Sequence, residues 1–234
     1  ITGDEIQAHI DYLAADERQG RDAGSEGGRA AAWYIARAFE SYGLEPGGEK
    51  DGFYQPFRIG EKDCCNVIAV LRGSDEKLRD EYVVIGAHYD HVGLGTSMQA
   101  LDRFSGGAGK IHNGADDNAS GTAGLLELAQ AYAQLQPRPR RSIVLVAFDA
   151  EEQGLLGSRQ YVKAERFPLS HTVLMINMDM IGRSQNHRVT IYGAGTSPGF
   201  RDLIDRSNKG PALELEYAPG MIGNSDHAHL YRRD

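Results

Sequence analysis

The sequence predicts an α/β sandwich built on a largely parallel sheet. Three observations carry that reading. Short, nearly continuous apolar runs recur at 66–71, 82–87, 142–148 and 172–178, as in strands covered on both faces. Apolar residues return at helical spacing between the second and third runs, and again after the third. Gly is abundant, 29 of 234 residues, which suits tight strand-to-helix loops.

The opening stretch is helical by spacing, with Ile6, Ile10 and Leu13 three or four apart. A Gly-rich link over 20–27 follows. A second amphipathic helix runs from about residue 28 to 42, with Ala31, Ile35, Ala38 and Tyr42 on one side and Gly43 as its cap. Gly47-Gly48 and Asp51-Gly52 mark turns before the strands at 66–71 and 82–87. The Gly/Ser-rich stretch 93–109 reads as a loop beside the site. A helix over 119–135 carries Leu125, Leu128, Ala129 and Tyr132, and Pro137 and Pro139 close it. The strand at 142–148 leads to a short helix over 155–162 and the strand at 172–178. A strand at 189–192 and a helix from about 199 to 208 complete the elements. No strand or helix is expected after His227.

A length of 234 residues and a hydrophobic fraction of 41% support one sizeable core, so one catalytic domain over 1–234 is expected. The net charge of -8 argues against nucleic acid or an anionic membrane as the main partner. No run is long and apolar enough to span a membrane. Cys64 and Cys65 are adjacent, so no disulfide framework exists. The chain begins at Ile1 without Met or a signal peptide, which reads as a processed or trimmed product.

Function is carried by five short segments in order: His88-Tyr89-Asp90, Gly114-Ala115-Asp116-Asp117-Asn118, Glu151-Glu152, Asn177-Met178-Asp179 and Ser225-Asp226-His227. Each offers a metal-capable side chain, mostly just past a strand, where open α/β sheets bind ligands. Alone, each has a plainer reading. His88 could be a surface-loop histidine, and Asp117 or Asn118 a helix cap. Glu151-Glu152 could favour a helix N-terminus, and Asp179 could pair with a buried Arg. His91, His112 and His229 take that plainer reading.

Together the segments suit two divalent cations about 3.5–4 Å apart sharing one carboxylate. Asp116, Glu152 and Asp179 with one hydroxide would balance two Zn²⁺ ions, and His88 and His227 add ligands without charge. A carboxylate left free beside such a site is the general base that metallo-hydrolases need. Asp90, two residues past His88, is placed to take its other ring N–H. Spacing alone does not separate Asp116 from Asp117.

With these motifs in place, the chain resembles the zinc aminopeptidase family that includes bacterial leucyl aminopeptidases and the catalytic domain of glutamate carboxypeptidase II. The matching stretches are Gly86-Ala87-His88-Tyr89-Asp90, 113–121, 151–158, 177–182 and Ser225-Asp226-His227, with the opening helices and the Gly-Arg turn also similar. The resemblance implies a three-layer sandwich with a central mixed, mostly parallel sheet flanked by helices, and further sheet beyond the last motif. It implies two Zn²⁺ ions, one on His88 and Asp179, the other on Glu152 and His227, with Asp116 bridging. Glu151 matches the general base and Asp90 the carboxylate that orients the first histidine. The implied reaction is hydrolysis of N-terminal peptide bonds by a metal-activated water on peptides with a free N-terminus. Secretion or a periplasmic location is expected on the same ground. Residues 217–224 and those around Met180 are candidates for the pocket of the first substrate residue. Kindred alternatives are a dizinc carboxypeptidase or deacylase and a one-zinc glutaminyl-cyclase-like enzyme; a different class is an inactive binding module.

Overall fold

The structure, a computed structural model, describes residues 1–95, 109–184, 186–210, 213–220 and 223–231. Helix α1 spans Gly3–Leu13 and begins in a capping box: Glu5 N donates to Thr2 Oγ1, and Thr2 N donates to the Glu5 carboxylate. Helix α2, Glu26–Ser41, is capped by Ser25, whose Oγ accepts from Gly28 N. Gly43 leaves it at a φ of 73°, as its capping role requires.

The strands follow. They are β1 (Glu45–Pro46), β2 (Tyr54–Ile59), β3 (Lys62–Leu71), β4 (Tyr82–His88), β5 (Ser142–Phe148) and β6 (Thr172–Asn177). They form one mixed sheet in the order β1-β3-β5-β4-β6, with β2 also on β3. Its parallel part is β5-β4-β6, the strands whose ends carry the site; β1, β2 and β5 pair with β3 antiparallel. β1 and β2 are not among the expected strands. β2 holds Pro56 and pairs only with β3, the edge position where a strand proline is tolerated.

Helices cover both faces. Alternation along β5 sends Leu145 and Ala147 to one side, where they meet Leu13, Ile35 and Phe39 of α1 and α2 and Leu125 and Leu126 of α3 (Gly121–Gln134). Val144, Val146 and Phe148 go to the other, against Tyr161 of α4 (Leu156–Lys163) and Leu230 of α6 (His227–Tyr231). Burying each larger side chain contributes about 1.5–3 kcal/mol, so the middle of the sheet is the rigid part. α6 is the helix not expected after the last motif. A separate two-stranded parallel sheet joins β7 (Arg188–Ile191) to β8 (Glu214–Tyr217), with α5 (Phe200–Ser207) between them. Among the described residues, no helix is long and apolar enough to cross a membrane.

Candidate metal centre

Register brings the site together. His88 lies beside Phe148, and Gly86 beside Asn177, so β4, β5 and β6 end side by side. The loops leaving these ends carry 88–91, 149–155 and 178–182.

His88 is 1% exposed. Its Nε2 lies 3.3 Å from Asp117 Oδ1 and 3.4 Å from Asp179 Oδ1. On its other side, Nδ1 is 3.2 Å from the Asp90 carbonyl oxygen and 3.6 Å from the Asp90 carboxylate. Burial opposes protonation of this imidazole, but Asp117, Asp179 and Asp90 outweigh it and hold its pKa well above the usual value. Asp90 has a further role the sequence does not reveal. Its carboxylate accepts from Glu151 N at 3.0 Å and Glu152 N at 3.3 Å, which ties the loop after β5 to the loop after β4.

A second group forms next to the first. His91 Nδ1 is 2.9 Å from Glu152 Oε1 and 3.9 Å from Asp117 Oδ2. Two sets of potential metal donors result, His88/Asp117/Asp179 and His91/Asp117/Glu152, each with its donor atoms within 4.8 Å of one another. Asp117 is common to both. The donor chemistry, imidazole and carboxylate at half-buried strand ends, fits zinc or a similar divalent ion.

The carboxylate common to both groups is thus Asp117, where Asp116 was expected. Asp116 turns the other way: its Oδ1 accepts from Gly182 N at 2.9 Å and its Oδ2 lies 3.7 Å from Arg183 Nε. Asp117 adopts an extended backbone (φ -106°, ψ 96°), so neighbouring side chains diverge and only one faces His88. Gly114 starts the turn at a φ of 61°, and a Cβ there would run into the Asp117 carbonyl and the His91 ring. The capping role falls to Asn118, whose Oδ1 accepts from Gly121 N at 2.9 Å.

Glu151, next to Glu152 in the chain, is in electrostatic contact with His88 and Asp179 of the first group. Burial pushes its carboxyl up to about 8; His88 opposes the shift, and Asp226, Asp90 and Asp179 add to it. Burial also acts on Asp179, but His88, Ser225 and His227 outweigh it and hold its carboxyl below the ordinary value. Ser225 Oγ donates to Asp179 Oδ2 at 2.8 Å and accepts from Asn177 Nδ2 at 2.7 Å, which anchors the last motif to the end of β6. His227 opens α6 and is in neither donor group among the described residues; His91 stands where an imidazole partner of Glu152 was expected. A second histidine three residues past His88 was the available signal for His91. Met180 and Ile181, beside Asp179, are 55% and 48% exposed. Tyr217 Oη donates to Asp205, and residues 221 and 222 lie outside the described residues, as do 96–108 of the expected Gly/Ser-rich loop.

The chain is similar to known proteins along nearly its whole length. It is 33% identical to a probable zinc metalloprotease of Leptosphaeria maculans over 98% of this chain and 51% of that protein. It is 30% identical to the aminopeptidase NAALADL1 of Rattus norvegicus over 88% of this chain and 24% of that protein. The chain thus spans about half the length of the first of these relatives and less of the second. Its fold is that of a Zn-dependent exopeptidase from Parabacteroides distasonis (TM-score 0.76, 18% identity, 98% of this chain and 80% of that one). It is also that of the LapA aminopeptidase of Legionella pneumophila (TM-score 0.73, 22% identity, 99% and 58%). The profile described as Peptidase family M28 matches residues 66–234, through every segment that carries these donors, and the chain belongs to that family.

Proposed function

We propose that this chain carries the catalytic site of a zinc-dependent aminopeptidase that removes N-terminal residues from peptides. The observation that carries the reading is the pair of donor groups sharing Asp117, with the unshared carboxylate of Glu151 in electrostatic contact with His88 and Asp179. His88, Asp117 and Asp179 would hold one Zn²⁺. Asp117, Glu152 and an imidazole would hold the other. Membership of the peptidase family and the aminopeptidase relative support the same reaction class. Bound zinc lowers the pKa of water to about 7 and polarises a carbonyl.

The chain's own residues supply the rest. Glu151 takes the proton from the attacking water and delivers it to the leaving amine. Without metal, burial holds this carboxyl at about 8, and bound cations would lower that, favouring the unprotonated form that acts as the base. Asp90 keeps Glu151 in place through its backbone N–H. The acidic surroundings of Asp179 and Glu151 receive the free α-amine of the substrate, and Met180 and Ile181 offer an apolar wall for its side chain.

Glu151→Gln should keep zinc content and abolish hydrolysis of an aminoacyl p-nitroanilide; unchanged turnover refutes the base role. Preference for an N-acetylated substrate over its free counterpart refutes the aminopeptidase reading, and one zinc per chain points to cyclase-like chemistry instead. For the second ion we assign the imidazole to His227, whose motif Ser225 ties to Asp179, and assign His91 to orienting Glu152 through their 2.9 Å contact. His227→Ala should then lose one equivalent of zinc while His91→Ala retains two with weaker binding. The reverse result makes His91 the ligand.

A further inference from the structure

Arg21 is 0% exposed, among the largest fully buried side chains, and among the described residues no carboxylate is in direct contact with it. Four of its five N–H groups go to carbonyl oxygens on three segments. Nε donates to Tyr89 O at 2.8 Å, Nη1 to Leu13 O at 2.6 Å and Asn113 O at 2.7 Å, and Nη2 to Gly114 O at 2.9 Å. Tyr89 lies between His88 and Asp90. Asn113 and Gly114 open the turn that delivers Asp117. The Arg21 carbonyl in turn accepts from His91 N at 3.2 Å, and the Gly20 carbonyl from Gly93 N at 3.0 Å. Gly20 sits at a φ of 68°, with the backbones of Gly93 and His112 so close that a Cβ would collide with both. The Gly20-Arg21 turn is thus wedged between the two loops that carry the common carboxylate and both imidazoles of the donor groups.

We propose that Arg21 is a positioning residue for the metal centre: one buried guanidinium sets the spacing between the loop of His88 and His91 and the turn of Asp117. This rests on the metal-centre reading above. A buried charge on neutral acceptors is costly unless opposite charge is near. Burial pushes the Arg21 pKa down to about 10, and Asp90, Asp117 and Glu152, members or neighbours of the donor groups, oppose that shift. The planar fork matters as much as the charge. A lysine ammonium donates from a single point and cannot reach acceptors on three segments at once.

The test compares wild type, Arg21→Lys and Arg18→Met as metal-free proteins titrated with Co²⁺. Binding is followed by the visible spectrum, and folding by circular dichroism and melting. Arg18 shares the turn, but it stacks on Tyr12 and bonds to the Tyr12 hydroxyl, with no bond to the loops among the described residues. The proposal expects folded Arg21→Lys protein whose Co²⁺ affinity falls roughly 10- to 100-fold with an altered ligand-field spectrum, the usual range for partners that orient ligands. It expects wild-type binding from Arg18→Met. Wild-type affinity and spectrum in Arg21→Lys would overturn it, as would an equal loss in Arg18→Met. If Arg21→Lys does not fold, the Nε–H resonance of Arg21 in the wild type decides: a slowly exchanging signal that moves on binding diamagnetic Zn²⁺ supports the role, and a fast-exchanging or unmoved one overturns it. Wild-type protein that takes up no Co²⁺ would overturn the metal-centre reading itself, and that arm is read on the wild type alone.

Discussion

At the scale of single residues, the site depends on which of two adjacent aspartates faces the histidines. Asp117 lies 3.3 Å from His88, while Asp116 is engaged by Gly182 N. Asp117→Ala should therefore abolish binding of both proposed zinc ions, measured by elemental analysis after gel filtration, whereas Asp116→Ala should keep them and lose only the anchor on the loop after β6. Equal zinc loss in the two variants would contradict the assignment. The motif placed a carboxylate pair at this turn but not its orientation, because side-chain direction in an irregular turn follows torsions that distant hydrogen bonds impose. The same limit hid His91. Its nearness to Glu152 depends on how two loops pack, and nothing in its chain spacing from Glu152 reports that. His88, Glu152 and Asp179, which the structure brings into the donor groups, could be placed because each stands at or just past the end of a strand whose apolar run is read directly.

At the scale of elements, the helical layer contains a buried polar link. His9 on α1 lies 3.3 Å from Glu127 on α3 and 2.8 Å from the Tyr34 hydroxyl on α2. Burial lowers the His9 pKa below 6.5, and Glu127 only partly offsets it. The folded protein therefore binds fewer protons at His9 than the unfolded chain does in the window between the lowered pKa and 6.5. The sign follows: stability is fully present above about pH 6.5 and is lost as pH falls through the folded-state pKa. Urea unfolding of wild type should show this loss between pH 7.5 and 5.5, and His9→Gln should flatten it. Parallel slopes would exclude His9 as the source. Periodicity located α1, α2 and α3 well, because their apolar stripes meet one sheet face. It did not find β1, β2 or α6. These are short elements at edges or after the last motif, defined more by partners than by their own pattern.

At the scale of the whole molecule, the donor groups join loops from three strands, so metal binding is linked to folding. Any ligand that binds only the folded state at 100 times its Kd stabilises it by about 2.7 kcal/mol. For a protein of this size each kcal/mol raises Tm by about 2–4 °C, so saturating zinc should raise it by roughly 5–10 °C over the chelator-treated protein. Scanning calorimetry on the two forms measures this, and identical melting temperatures would mean that the donors do not act as one site.

The sequence by itself determined the strand-helix alternation, the parallel strands that end at the site, the family of the chain and the segments that supply His88, Glu152 and Asp179 to the donor groups. Those properties reside in local periodicity and in the order of motifs. Only the tertiary structure decided that Asp117 rather than Asp116 faces both groups, that His91 joins Glu152, and that Arg21 sits beneath them. Each depends on atoms brought together from segments far apart in the chain: Asp117 is 29 positions from His88, His91 is 61 from Glu152, and Arg21 is 68 from Tyr89. Backbone hydrogen bonds and packing set those distances, and spacing along the chain carries no record of them.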